Sequence, residues 1–339
     1  MIHIFDAPDV SMSNIMKFQE AIERTRGKDR SLLIGNGFSA QYFSYRSLLE
    51  KSDIVENSPV EKLFRKLNTV DFEAVVRALE DAVIVERAYG YDEHASRLER
   101  DAQAVREALV KAVRETHPKY SNELTFQYEP ATRFLKNFSK VFSLNYDLLL
   151  YWVGLQNGHL KDGFGRGRSK NGGRFHGPFQ EIAHCNTFNV HGGLHLFLDE
   201  AGDTIKALNK GEGVLETIAD EIILKKKFPL YVAEGTSESK MRKIKSVEYL
   251  RHCYQKLETN NDEIIFIYGH SAAENDEHIY KAIFKSGVIQ LYFGIYDRDE
   301  DSIAEIRGNL SKYREKYGET VIIEFFDSRT ACIWDETAI

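Results

Sequence analysis

Five short apolar runs, each closing on small or polar residues, limit what this chain of 339 residues can fold into. The runs are residues 31–34, 140–144, 263–268, 288–293 and 321–326. Helical spacing follows at residues 38–49, from Asp147 onward, at 275–284 and at 301–317. Strands so short and so uniformly apolar are buried on both faces, and strands separated by whole helices pair in parallel. An α/β fold is therefore expected: a Rossmann-like parallel sheet with helices on both faces. At about 150 residues per domain the length allows two domains or one enlarged domain. The reading is a single α/β domain over residues 1–339 with two insertions. The first, 59–138, is helical: Phe72, Val75, Val76, Leu79 and Val83 recur at three- and four-residue steps, and Ala104, Val105, Leu109 and Val113 continue the pattern. The second, 154–261, reads as irregular and opens with a glycine- and arginine-rich segment, residues 163–177. That segment is either a phosphate wrap or a mobile surface loop. Lys225, Lys226 and Lys227, and the basic stretch 240–245, read as a solvated face.

Composition removes several classes. Hydrophobic residues make up 42% and charged ones 29%, the balance of a folded globular chain rather than a disordered or collagen-like one. A formal charge of −7 carries no overall nucleic-acid footprint. Cys185, Cys253 and Cys332 are widely separated and form no CxxC pair, which excludes a four-cysteine zinc site and argues against a structural disulfide. The first residues lack the basic and apolar regions of a signal peptide. No apolar stretch approaches the roughly 18 residues that cross a bilayer. A cytoplasmic protein without a membrane segment is expected.

Residues able to do chemistry gather where the runs end, and open α/β sheets bind ligands beyond the carboxyl ends of their strands. Gly35, Asn36, Gly37, Phe38 and Ser39 (GNGFS) follow the first run. Glycines at such a place let the backbone approach a pyrophosphate, or simply make a tight turn. Asn145 and Asp147, within SLNYD, follow the second run. Asp147 suits a helix N-cap, and the Asn145 amide offers donors and an acceptor to a water or a ribose hydroxyl. His191 follows the strand-like residues 187–190 and precedes Gly192 and Gly193, which are expected to keep its surroundings open. Histidine has the side-chain pKa nearest neutrality and can exchange a proton with a hydroxyl, although a lone one is also a common core residue. Gly269, His270 and Ser271 close the third run, as for a second phosphate or ribose contact.

GNGFS, NYD, HG and GHS, in this order on successive strands, resemble the sirtuin-like NAD-binding family. More narrowly, they resemble its bacterial NADase effectors of anti-phage defence. The resemblance implies NAD+ as substrate. Gly35, Asn36, Gly37, Phe38 and Ser39 would cradle the pyrophosphate and the adenine-side ribose. Gly269, His270 and Ser271 would face the adenosine half, with Asp147 supporting the site. Asn145 and His191 would be the catalytic pair in an open pocket, the first placing water or the nicotinamide ribose, the second acting as general base. Hydrolysis to nicotinamide and ADP-ribose would pass through an oxocarbenium-like transition state and need no metal. Such an effector would be gated by a sensor or regulatory partner protein of the same defence system, or by homo-oligomerisation. Two departures favour an NADase over a deacylase: no four-cysteine module can form, and Asn36 stands where the family's loop carries alanine. The alternatives are a regulatory subunit that binds nucleotide without catalysis, and an NAD-dependent deacylase or ADP-ribosyltransferase. A dehydrogenase fits less well, because no full GxGxxG fingerprint is present.

Overall fold

The computed structural model describes residues 15–42, 47–118, 120–156, 158–165, 173–208, 213–232, 235–297 and 299–335. In chain order the strands and α-helices are β1 (Met16–Lys17), α1 (Phe18–Arg24), β2 (Arg30–Ile34), α2 (Ser47–Glu50), α3 (Pro59–Leu67), α4 (Phe72–Ala88), α5 (Asp92–Thr116), α6 (Tyr128–Leu135), β3 (Lys140–Ser143), α7 (Leu149–Gln156), β4 (Phe175–His176), β5 (Thr187–Asn189), β6 (Leu196–Leu198), β7 (Thr204–Ala207), α8 (Val214–Ile223), α9 (Ser237–Ser246), α10 (Glu248–Glu258), β8 (Ile264–Tyr268), α11 (Glu277–Lys285), β9 (Gln290–Ile295), α12 (Glu300–Tyr317) and β10 (Ile322–Asp327).

Neighbouring side chains on a strand point to opposite faces, so a sheet covered on both sides needs apolar residues at every position. β8 meets that condition throughout, with all its residues buried. Leu32 and Ile34 of β2, Val141 of β3, and Ile264 and Phe266 of β8 join one apolar core together with α1 and α3–α8. The alternate residues Leu33, Phe142, Ile265 and Ile267 join a second core with α9–α12. The seven-stranded sheet runs β1-β10-β9-β8-β2-β3-β5, and every pair in it is parallel. The fold is α/β and Rossmann-like. From β2 the chain crosses to β3 and β5 on one side, then returns to β8 on the other. The strand order therefore switches beside β2, the place where such sheets open a crevice.

The helical spacing over 38–49 does not produce a long helix. Residues 36–38 form one 3-10 turn, residues 43–46 lie outside the described residues, and α2 is a single turn. Phe38 packs instead on Trp334, ring centroids 5.1 Å apart, and the Trp334 indole donates to the Phe38 carbonyl at 2.6 Å. A partner from the far end of the chain overrides the local period.

Residues 59–138 contain α3–α6. The ion pairs Arg87–Glu99 and Arg106–Glu80 run in opposite sequence directions, so α4 and α5 pack antiparallel. Residues 154–261, expected to be irregular, instead hold β4–β7 and α8–α10. β5 forms an edge of the main sheet, and β4, β7 and β6 make a separate antiparallel sheet. The β6–β7 turn is tied by Asp199, whose carboxylate accepts from the Ala201 and Asp203 amides, each at 3.0 Å. Strands of two to four residues are too short to show a period. Of the arginine–glycine segment, residues 166–172 lie outside the described residues. No described helix is long and apolar enough to cross a membrane.

Candidate functional site

β2, β3, β5 and β8 are neighbours in the sheet, so the residues that follow them converge. A cavity of about 240 Å3 lies there, walled by Asn36, Tyr146, His191, Lys240, Gly269, His270, Ser271 and Asp276 among others. A larger hollow of about 700 Å3, around Tyr128, Thr132 and His159, contains none of the strand-end residues.

The glycines at the switch point serve first to let two loops cross. The Gly37 amide donates to the Gly269 carbonyl at 2.8 Å, and the Gly35 amide to the Tyr268 carbonyl at 2.9 Å. A Cβ on Gly37 would stand 2.5 Å from the Gly269 Cα, and one on Gly269, at φ +70°, would stand 2.6 Å from Gly37. Backbone cannot rotate aside as a side chain can. Gly37→Ala is therefore expected to cost about 1–3 kcal/mol by forcing the loops apart. Gly308→Ala in α12, which meets nothing within 4 Å, should stabilise by about 1 kcal/mol. Urea denaturation of the two variants checks both signs. Gly192 and Gly193 likewise do not keep His191 open: the Leu230 carbonyl would lie 2.1 Å from a Cβ at Gly192, and the His195 ring 2.7 Å from one at Gly193.

Asn145 is buried rather than set in an open pocket, and it is not on the cavity wall. Its Nδ2 donates to the Ser39 Oγ at 3.0 Å, while its Oδ1 has no hydrogen-bond partner. Ser39 and Phe38 are buried as well, so of GNGFS only Asn36 lines the cavity. Asp147 accepts from the Leu149 amide at 2.8 Å and so shapes the start of α7. His117, which no sequence motif singles out, completes that corner: its Nδ1 donates to the Val113 carbonyl at 2.8 Å and its Nε2 accepts from the Leu148 amide at 3.2 Å.

His191 is buried at the end of β5, with its Nε2 3.3 Å from the Nε2 of His278. Burial pushes its pKa down to about 3, with Asp276 opposing and His278 and Lys240 adding to the fall. The near-neutral value expected from sequence does not hold, because the imidazolium would lose its water. His278 falls to about 4 for the same reason, and its Nδ1 lies 3.0 Å from the Ser237 Oγ. His270 accepts at Nδ1 from the Ala272 amide (3.0 Å) and meets the Tyr280 hydroxyl there (2.8 Å), so its Nε2 proton is aimed at Asp276 Oδ2, 3.2 Å away. The other oxygen of Asp276 accepts from Lys240 at 2.9 Å. Burial opposes the charge on Asp276, but the bond from His270 and the nearby cations hold its carboxyl well below the usual carboxylate range. Lys240 is only 5% exposed at its side chain and does not belong to a solvated face. Ligand atoms of His191, Asp276 and His278 all lie within 4.8 Å of one another.

Sequence reasoning missed Asp276, His278, Ser237 and Lys240. Asp276 and His278 stand just beyond Ser271, where a helix was expected to begin, and that signal absorbed them. Both Ser237 and Lys240 come from α9; Ser237 carries no local signal, and the basic run around Lys240 pointed to solvent instead.

A family model described as "Domain of unknown function (DUF4917)" matches residues 32–334. No curated protein matches the chain. Among solved structures the chain is similar to a mutant Sir2 homologue in complex with ADP-ribose, at 12% identity and a TM-score of 0.36, covering 88% of this chain and 97% of that one.

Proposed function

The chain belongs to the DUF4917 family, a domain of unknown function, and from that premise we propose that it binds NAD+ at the strand ends and hydrolyses it to nicotinamide and ADP-ribose. One observation carries the reading: His191 shares a cavity wall with Asn36, Gly269, Ser271 and the Asp276 carboxylate. The C1′–nitrogen bond breaks with its electron pair passing to the nicotinamide ring nitrogen. Water bonds to C1′, and its proton goes to the free lone pair of His191. The transition state spreads positive charge over the ribose, and the Asp276 carboxylate supplies the opposite charge. At about 240 Å3 the cavity is below the about 300–1,000 Å3 of most ligand pockets. It takes the nicotinamide-ribose half, so Gly269, His270 and Ser271 border that half rather than the adenosine half expected from sequence, while the rest of the dinucleotide runs out past the exposed Asn36 and Gly37. No step needs a metal.

The experiment is to incubate purified protein with NAD+, follow nicotinamide by chromatography, and measure ADP-ribose binding by calorimetry. One nicotinamide per NAD+ consumed is expected. Absence of both binding and release would sink the proposal. A nucleotide-binding regulatory subunit without turnover is favoured by the burial of Asn145 away from the cavity; it predicts binding with no release under any activating condition.

A constitutive NAD+ consumer would kill its own cell, so the enzyme is gated, and a partner protein of a defence system is the gate we favour over homo-oligomerisation. Ile84, Val85, Tyr89 and Tyr91 support a partner: they are 69%, 55%, 77% and 57% exposed around the turn between α4 and α5. The free thiols Cys185, Cys253 and Cys332 suit the reducing cytoplasm where NAD+ is held. Expression of this chain alone should be tolerated, and co-expression with its partner and trigger should deplete NAD+. Toxicity of the isolated chain that depends on His191 would remove the partner from the scheme.

A further inference from the structure

We infer that His191, Asp276 and His278 form a binding site for a zinc-class divalent ion, and that occupancy of this site excludes base action at His191. The second half rests on the hydrolase reading; the first does not. The two imidazole Nε2 atoms lie 3.3 Å apart. Two ligands at the zinc–nitrogen distance of about 2.0–2.1 Å from a tetrahedral ion stand about 3.3–3.4 Å from each other. One oxygen of the Asp276 carboxylate lies within 4.8 Å of a ring nitrogen of each histidine, so a shift of the carboxylate or of the two rings is needed to bring all three to one ion.

The surroundings hold these groups in place. Ser237 Oγ meets the Nδ1 of His278 at 3.0 Å and accepts from the His278 amide at 2.9 Å. With its Nδ1 proton on Ser237, His278 presents a lone pair at Nε2, the arrangement in which a metal-ligating imidazole is fixed and made more basic. Lys240 and His270 fix the two Asp276 oxygens, and each oxygen keeps a further lone pair. His191 and Asp276 both line the cavity, so an ion held between them borders space for a water as its fourth ligand. Two imidazoles and one carboxylate suit zinc and not magnesium or calcium, which take oxygen donors. In the ion's absence, one proton between the two nitrogens accounts for their approach. When zinc takes the Nε2 lone pair of each ring, the proton His191 held at Nε2 moves to its Nδ1, which leaves that ring with no lone pair to accept a proton from water.

The test uses the metal-free full chain, titrated with zinc and with magnesium by calorimetry. One zinc per chain and no magnesium are expected. His278→Gln and Asp276→Asn should each weaken zinc binding at least tenfold. Ser237→Ala, which leaves all three ligands in place, should weaken it less, and circular dichroism confirms that each variant is folded. No stoichiometric zinc uptake by the folded chain, or unchanged affinity in the folded variants, overturns the site. Nicotinamide release by the activated enzyme should fall as zinc saturates the site and return with a chelator; release that is indifferent to saturating zinc overturns the exclusion. Zinc uptake without nicotinamide release from the activated metal-free protein would leave the site standing and bring down the hydrolase reading.

Discussion

His191→Ala is expected to cut NAD+ hydrolysis by about 10²-fold, the low end for a positioned general base, because burial makes its ring a weak base, while the chain stays folded. The backbone bonds that hold this residue survive the substitution: the Val232 amide donates to its carbonyl at 2.9 Å, and its own amide is directed at the Ser143 carbonyl at 3.4 Å. Its ring meets the His278 ring, centroids 5.5 Å apart, and ties no two elements of the sheet together. Asn145→Ala should behave differently. It removes the bond to Ser39 that joins the end of β3 to the loop after β2, so it should lower stability by about 1–3 kcal/mol, the scale for a buried hydrogen-bond loss, as well as activity. Nicotinamide release under activating conditions, with circular dichroism of each variant, separates the two. Wild-type turnover in folded His191→Ala would show that this histidine is not the base.

Acid should weaken the fold well above the range in which carboxylates protonate. Burial pushes His195 down to about 3, with Lys206 adding and Asp162 opposing, and burial lowers His117 too, against Asp147 and the Val113 carbonyl. An unfolded histidine titrates near 6.5. Since the folded values lie below that, the unfolded chain binds more protons as pH falls. The stability these groups contribute is complete above about 6.5 and is lost progressively towards the folded pKa. For His195 the loss by pH 4.5 is roughly 2–3 kcal/mol at about 1.4 kcal/mol per unit, and His117 adds in the same direction. A total stability of about 5–15 kcal/mol makes that a large share. Urea denaturation at pH 7 and pH 4.5 should show the drop. His195→Phe should shrink it, because the ring keeps its stack on Tyr151, where the centroids are now 4.6 Å apart. Equal midpoints at the two pH values would contradict the argument.

The sheet is legible in the amino-acid sequence because its information is local. A parallel strand covered on both faces must be apolar at consecutive positions, and β2, β3, β8 and β9 announce themselves by that rule alone. The gathering of Asn36, His191, Gly269, His270 and Ser271 around one cavity also followed from sequence, since strand ends in such a sheet converge wherever the strands pair. What no local pattern contained was burial and long-range partnership. Phe38 carried a helical period yet packs on Trp334, and Asn145 looked exposed yet bonds to Ser39 beneath the surface. Lys240 sat in a basic run yet is buried against Asp276. His191 had the type and position of a base, but its pKa is set by the water it loses on burial and by His278, Asp276 and Lys240, which come from other elements. Strand period is carried by adjacent residues, whereas desolvation and charge coupling are sums over neighbours that only the folded chain brings together.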